Sequence, residues 1–73
     1  MTDAYENLAN AIILLAVKDY RRALKLLSKN THSRSAMAAV NEMERFFRSD
    51  WYETLTSVDG EMLIRKLREE AFL

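Results

Sequence analysis

The chain lacks cysteine and proline and contains one glycine and one histidine among its 73 residues. Without cysteine, neither a disulfide nor a thiolate metal site can form. His32 cannot build a metal site alone, because carboxylates or a second subunit would have to supply further ligands. We therefore expect no cofactor and no metal. A chain of this size hides only about 60% of the surface that its unfolded form exposes, so a homo-oligomer is a reasonable route to further burial.

Excess charge and long apolar runs are also missing. Eleven basic and eleven acidic residues give a formal net charge of zero, whereas a free-standing nucleic-acid binder usually has a basic excess. No apolar run approaches the length of a membrane span. The first ten residues, MTDAYENLAN, are polar and acidic, unlike a signal peptide. We expect no contact with a membrane and a location in the cytoplasm.

What is present favours helices joined by short turns. Apolar residues recur at three- and four-residue steps from residue 3 to about 28, where Asp3 and Glu6 have the spacing of a capping box. A polar loop follows, and the pattern then predicts helices over about 34–48, 50–56 and 58–70, with Asp50 and Glu53 as a second capping box. We predict an all-α single domain over 1–73. It is a small helical bundle, in which a long antiparallel helix hairpin precedes a short helix and a final helix.

Two local features leave alternatives open. All seven residues from Ala11 to Val17 are apolar, so the first helix either packs on two sides within the domain or uses a second face for oligomerisation or a partner helix. Gly60 lies either in the turn before the last helix or in its first turn, where the missing side chain permits close approach.

No motif with a catalytic geometry is present, and we expect a protein that is not an enzyme. Glu42 and Glu44 are two residues apart on a helix, so their carboxylates do not face each other. Asp59 and Glu61 have the same spacing. We interpret all four as solvated or capping residues.

A mixture of aromatic and arginine side chains provides the candidate binding residues. Tryptophan, tyrosine and arginine are enriched at interface hot spots, and guanidinium groups beside aromatic rings also suit nucleotides and phosphates. The candidates are Tyr20, Arg21, Arg45, Arg48, Trp51 and Tyr52. Alternatively, the rings of Phe46, Phe47, Trp51 and Tyr52 form the core, and the arginines pair with Asp50, Glu53 or Asp59.

Basic residues suggest a weaker nucleic-acid hypothesis. Six basic residues and one acid between Lys18 and Arg34 give that stretch a charge of +5, which is typical either of an anion-binding surface or of a solvated face. The last helix carries Arg65, Lys66 and Arg68, as the second helix of a helix-turn-helix would. It also carries Glu61, Glu69 and Glu70, which repel phosphates.

Two segments, AVKDYRRAL (16–24) and ERFFRSDWYETLTSVDGEMLIRKL (44–67), resemble a group of short, uncharacterised helical proteins encoded by phages, prophages and mobile elements of Firmicutes. The resemblance implies a small accessory protein that binds and inhibits a host protein, plausibly a component of antiviral defence. Two alternatives are an oligomeric sponge that sequesters an anionic nucleotide signal and a DNA-binding regulator of the helix-turn-helix kind.

Overall fold

A computed structural model describes residues 4–72, except for the side chains of Tyr5 and Glu6. Within that range the chain forms four α-helices and no strand: α1 (Ala4–Lys29), α2 (Arg34–Phe47), α3 (Asp50–Leu55) and α4 (Gly60–Phe72). The predicted all-α bundle is thereby confirmed. The capping box predicted at Asp3 and Glu6 lies outside the described residues.

A tight turn over residues 30–33 folds α1 and α2 into a hairpin. The Asn30 amide still donates to the Leu26 carbonyl, and the Ser33 amide donates to the Asn30 carbonyl. The Ser33 side chain then accepts a hydrogen bond from the Ala36 amide at 3.2 Å and caps α2. With 26 residues, α1 is about 39 Å long, so it sets the 44 Å length of the molecule.

Ser49 reverses the chain between α2 and α3. Its hydroxyl donates to the Phe46 carbonyl at 2.6 Å and accepts from the Tyr52 amide at 3.1 Å. Ser49 is therefore the N-cap of α3, and Asp50 is the first helical residue. The capping box predicted for Asp50 and Glu53 is wrong, because the serine one position earlier already occupies the cap.

The start of α4 is set by Asp59 and differs from the prediction by two residues. The Asp59 carboxylate accepts from the Glu61 amide at 3.0 Å, and its carbonyl accepts from the Leu63 amide. Val58 belongs to the preceding turn, where its amide donates to the Thr56 hydroxyl. The helix starts at Gly60 and continues to Phe72, two residues beyond the predicted end.

The core lies where α1, α2 and α4 meet and is closed at one end by α3. Its fully buried large side chains are Tyr20, Leu24, Phe47 and Tyr52. Gly60 lies so close to the end of α2 that an added Cβ would be 2.0 Å from the carbonyl oxygen of Phe47. The close approach anticipated for Gly60 is therefore found in the first turn of α4. Among the described residues, no helix combines the length and apolarity needed to cross a membrane.

Candidate protein-binding surface

Trp51 is the most prominent exposed aromatic side chain at the α2–α3 corner. The Ser49 cap places it in the first turn of α3, where its ring packs edge-to-face on Phe46 with centroids 5.6 Å apart. Even so, 56% of the residue remains exposed. The ring is thus held in position by one face of the core and presents the rest of its surface to solvent.

Two arginines lie on the adjoining end of α2 in different electrostatic settings. Arg48 is exposed and donates through Nε to the Glu61 carboxylate, with its Nη2 atom 3.4 Å from the second oxygen. This bond raises the pKa of Arg48 and lowers that of Glu61. Arg45 is also exposed, and among the side chains that the structure describes it forms no ion pair with a carboxylate. Arg45 is therefore the more available cation.

Tyr20 is buried in the core, contrary to its prediction as a binding residue. Its ring contacts that of Phe47 edge-on at 5.5 Å, and its hydroxyl donates to Glu44 at 2.6 Å. Burial, and then the bond to Glu44, raise the pKa of Tyr20 to about 12. The ring faces inward because α2 and α4 both cover this part of α1.

Tyr52 also lies in the core, although it follows Trp51 directly. Its ring is edge-on to both Phe46 and Phe47. Its hydroxyl has no hydrogen-bond partner among the described residues, and burial, followed by the charge of Asp59, raises its pKa. Consecutive residues of a helix point about 100° apart, so Trp51 can face solvent while Tyr52 faces the core. The role of Tyr52 is in packing α3 against α2.

Arg21 lies apart from this corner, on the side of α1 that faces α4. It donates through Nε and Nη2 to the Glu70 carboxylate at 3.0 and 3.2 Å. Glu61, the partner of Arg48, is nine residues earlier on α4, which corresponds to about 13 Å along the helix. The structure therefore separates Arg21 from Arg48 and does not bring all six candidates together.

Glu44 is the important residue that the sequence interpretation missed. It is buried, and its Oε2 atom accepts from the Tyr20 hydroxyl and from Nε and Nη2 of Arg68 at 2.9 and 2.6 Å. Nη1 of Arg48 lies 3.6 Å from the other oxygen. The interpretation of Glu44 as solvated is wrong. Glu44 lies four residues after Val40 and three before Phe47, and this spacing could have indicated that it shares their buried helix face.

Trp51, Arg45 and Arg48 (hereafter the Trp51 surface) lie beside a buried polar network, which Arg48 reaches through Glu44. The described side chains include no group of three His, Asp or Glu residues placed to hold a metal ion. Comparisons with protein-family models, with curated proteins and with solved structures found no match for this chain.

Proposed function

We propose that this protein is a non-enzymatic binding protein that attaches to a host protein and inhibits it through the Trp51 surface. The observation that supports this function is the position of Trp51, which is more than half exposed while its ring rests on Phe46. An exposed aromatic ring is the type of side chain that contributes most to protein interfaces.

The fixed orientation of Trp51 favours binding energetically. A side chain loses conformational freedom when a partner immobilises it, and this costs about 0.5–1.5 kcal/mol for a flexible residue. Contact with Phe46 already restricts the tryptophan ring, so less freedom is lost on binding. The surface is therefore partly preorganised.

The charges around Trp51 indicate an acidic patch on the target. Arg45 provides an exposed guanidinium in the last turn of α2, and Arg48 supplies a second one already oriented by Glu61. Arginine can bind a carboxylate through two parallel hydrogen bonds. A target with an aromatic-binding pocket beside Asp or Glu side chains fits this arrangement.

The sequence resemblance to short phage and mobile-element proteins adds the biological setting. Such accessory proteins act in a host cell, so the target is a host factor, plausibly a component of antiviral defence.

The test compares two similarly exposed aromatic residues. Biotinylated wild-type protein is incubated with extract of the host bacterium, captured proteins are identified by mass spectrometry, and the affinity of the purified target is measured by calorimetry. Trp51→Ala should weaken that affinity by at least about 30-fold, as expected for a hot spot worth about 2 kcal/mol. Phe72→Ala is the matched control, since Phe72 is 54% exposed at the far end of α4. Equal affinity of the two variants would exclude the Trp51 surface.

A second candidate function is sequestration of an anionic nucleotide. It is favoured by a groove of about 390 Å³ between α1 and α4, lined by Arg21, Lys25, Ser28, Lys29, Leu67, Glu70 and Ala71. A ligand that binds the native state raises the melting temperature. Micromolar nucleotides should therefore stabilise the wild type but not the Lys25→Ala/Lys29→Ala double variant. An unchanged wild-type melting temperature with every nucleotide would remove this candidate.

DNA binding has less support. The Arg68 guanidinium is engaged by buried Glu44, and α4 exposes Glu61, Glu69 and Glu70 beside Arg65 and Lys66. Phosphates approaching this helix would meet carboxylates as well as cations.

A further inference from the structure

The α1–α2 hairpin has a groove on each of its two sides. The helix α4 fills one of these grooves, and the other is open. On the filled side, α4 is fixed by the Arg21–Glu70 and Arg68–Glu44 pairs. On the opposite side, a groove of about 340 Å³ remains between the two helices. It is lined by Asp19, Arg22, Ala23, Leu26, Ser35, Ala36, Ala39, Glu42 and Met43.

A row of leucines on α1 continues this groove along the molecule. Leu8, Leu15 and Leu26 are all more than half exposed, and the distances between them, seven and eleven residues, return to nearly the same helix face. Half-buried Ile12 lies between the first two. Leu14, by contrast, lies about 100° around the helix from Leu15, with exposed Asn10 and Lys18 one turn away on either side. A single exposed leucine is ordinary, whereas a row beside an open groove indicates a contact surface.

We propose that a second copy of this chain occupies the open α1–α2 groove, so that the protein is a twofold dimer in which the leucine row of each copy packs on the other. The shape of the molecule leaves room for this occupant. The chain is elongated, with extents of 44 × 21 × 19 Å, and it exposes 5590 Å². A standard interface buries roughly 800 Å² on each partner, which is a small part of that surface.

The charges of the groove favour self-association as well. A twofold interface sets the same residues against each other, so a surface of one sign would repel its own copy. The groove carries Asp19 and Glu42 together with Arg22, and none of the three has an ion-pair partner within the described part of the chain. Opposite signs can therefore pair across the dimer. The groove between α1 and α4, with three cations and one acid, could not pair with itself in this way.

Small side chains make the approach of another helix feasible. Ala23, Ala36 and Ala39 line the middle of the groove, and the distance between packed helices falls as the side chains at the contact become smaller. The half-buried side chain of Met43 lies beside them, and methionine adapts its shape readily to a neighbour. A second copy could therefore approach closely, and α1 and α2 of the two copies would together form a layer of four helices.

The test is the oligomeric state of two neighbouring variants of the full chain, measured by sedimentation equilibrium over a range of concentrations. Leu15 and Leu14 are 62% and 68% exposed, so replacing either by aspartate changes a surface residue of the same type. Wild type and Leu14→Asp should be dimeric, whereas Leu15→Asp should be monomeric with an unchanged helical circular-dichroism spectrum. Leu26→Asp, further along the row, provides the same comparison if Leu15→Asp does not fold.

Two results would overturn the proposal. The first is a wild type that remains monomeric at about 1 mM, which would make the dissociation constant of any dimer weaker than millimolar. The second is a dimer that is unaffected by Leu15→Asp and Leu26→Asp, which would place the interface elsewhere. If the wild type is monomeric but Leu15→Asp loses binding to the host target, the groove belongs to that target and not to a second copy.

Discussion

Gly60→Ala is expected to destabilise the fold strongly, although alanine is ordinarily the better helix former. The new Cβ would lie 2.0 Å from the carbonyl oxygen of Phe47, 3.0 Å from its carbonyl carbon and 3.4 Å from Cε1 of Tyr52. Close carbon–oxygen contacts in proteins have separations of about 3.3 Å. The start of α4 and the end of α2 would therefore have to separate by more than about 1 Å. Two of the groups in the way are backbone atoms, which cannot rotate aside.

The expected change in the free energy of unfolding is the difference between a gain in helix propensity and a cost of overpacking. In a free helix, replacing glycine by alanine stabilises by up to about 1 kcal/mol. Overpacking a well-filled site costs about 1–3 kcal/mol and occasionally more, and a clash with backbone belongs at the upper end of that range. We expect a net loss of about 2 kcal/mol. A core this small supplies only about 3–5 kcal/mol, so the loss removes a large part of the stability.

Urea unfolding followed by far-ultraviolet circular dichroism measures this change, and a thermal melt should show a fall of roughly 8–16 °C. Ala38→Gly calibrates the helix-propensity term, because Ala38 is exposed in the interior of α2 and should lose only about 1 kcal/mol. A Gly60→Ala variant as stable as the wild type, or more stable, would refute the inferred close approach of α2 and α4.

Three further predictions concern the buried network and a surface pair. Glu44→Gln should lower the free energy of unfolding in urea by about 1–2 kcal/mol, because a neutral amide replaces the buried anionic acceptor of the Tyr20 hydroxyl and of the half-exposed Arg68 guanidinium; an unchanged free energy of unfolding would contradict the burial of Glu44. The pKa of Tyr20 is raised from 10.0 to about 12, so the folded state keeps a proton that the unfolded state loses, and stability should fall between about pH 10 and 12. Tyr20→Phe should show less of that fall in urea titrations across this range, and an identical decline would refute the assignment. Arg21→Ala removes an exposed ion pair with Glu70 and should change the free energy of unfolding by less than about 1 kcal/mol. A larger loss in the same urea assay would show that this ion pair stabilises the fold more than an exposed pair normally does.

Helix positions could be predicted from the sequence because they depend on local signals. Periodic apolar residues, the polar loop after Lys29 and serines suited to capping place all four helices within about two residues of their observed bounds. Errors arose where two capping residues stood side by side, as at Ser49 and Asp50. Which of them caps α3 depends on how the chain leaves α2, and periodicity carries no such information.

The surface could be predicted only in part, because exposure depends on how the helices pack. The sequence grouped Trp51 with Tyr52, and one is exposed while the other is buried. It also grouped Tyr20 with Arg21, whose side chains point in different directions around α1. The position of α4 decides both the burial of Tyr20 and the separation of Arg21 from Arg48. No local pattern specifies that position, since it results from Glu44, Arg68 and Gly60 acting together.

The helix α2 connects the stability of this protein with both proposed surfaces. One face carries Glu44 into the core, a second carries Met43 along the open groove, and a third carries Arg45 to solvent. Leu15 lies on α1 and Trp51 on α3, and substitutions at sites that share no contact partner act independently. Leu15→Asp should therefore abolish dimerisation without weakening the contact made by Trp51 with its target, and Trp51→Ala should have the opposite effect. If each change instead abolishes both properties, the dimer and the target site form one surface, and the assembled dimer is the species that binds.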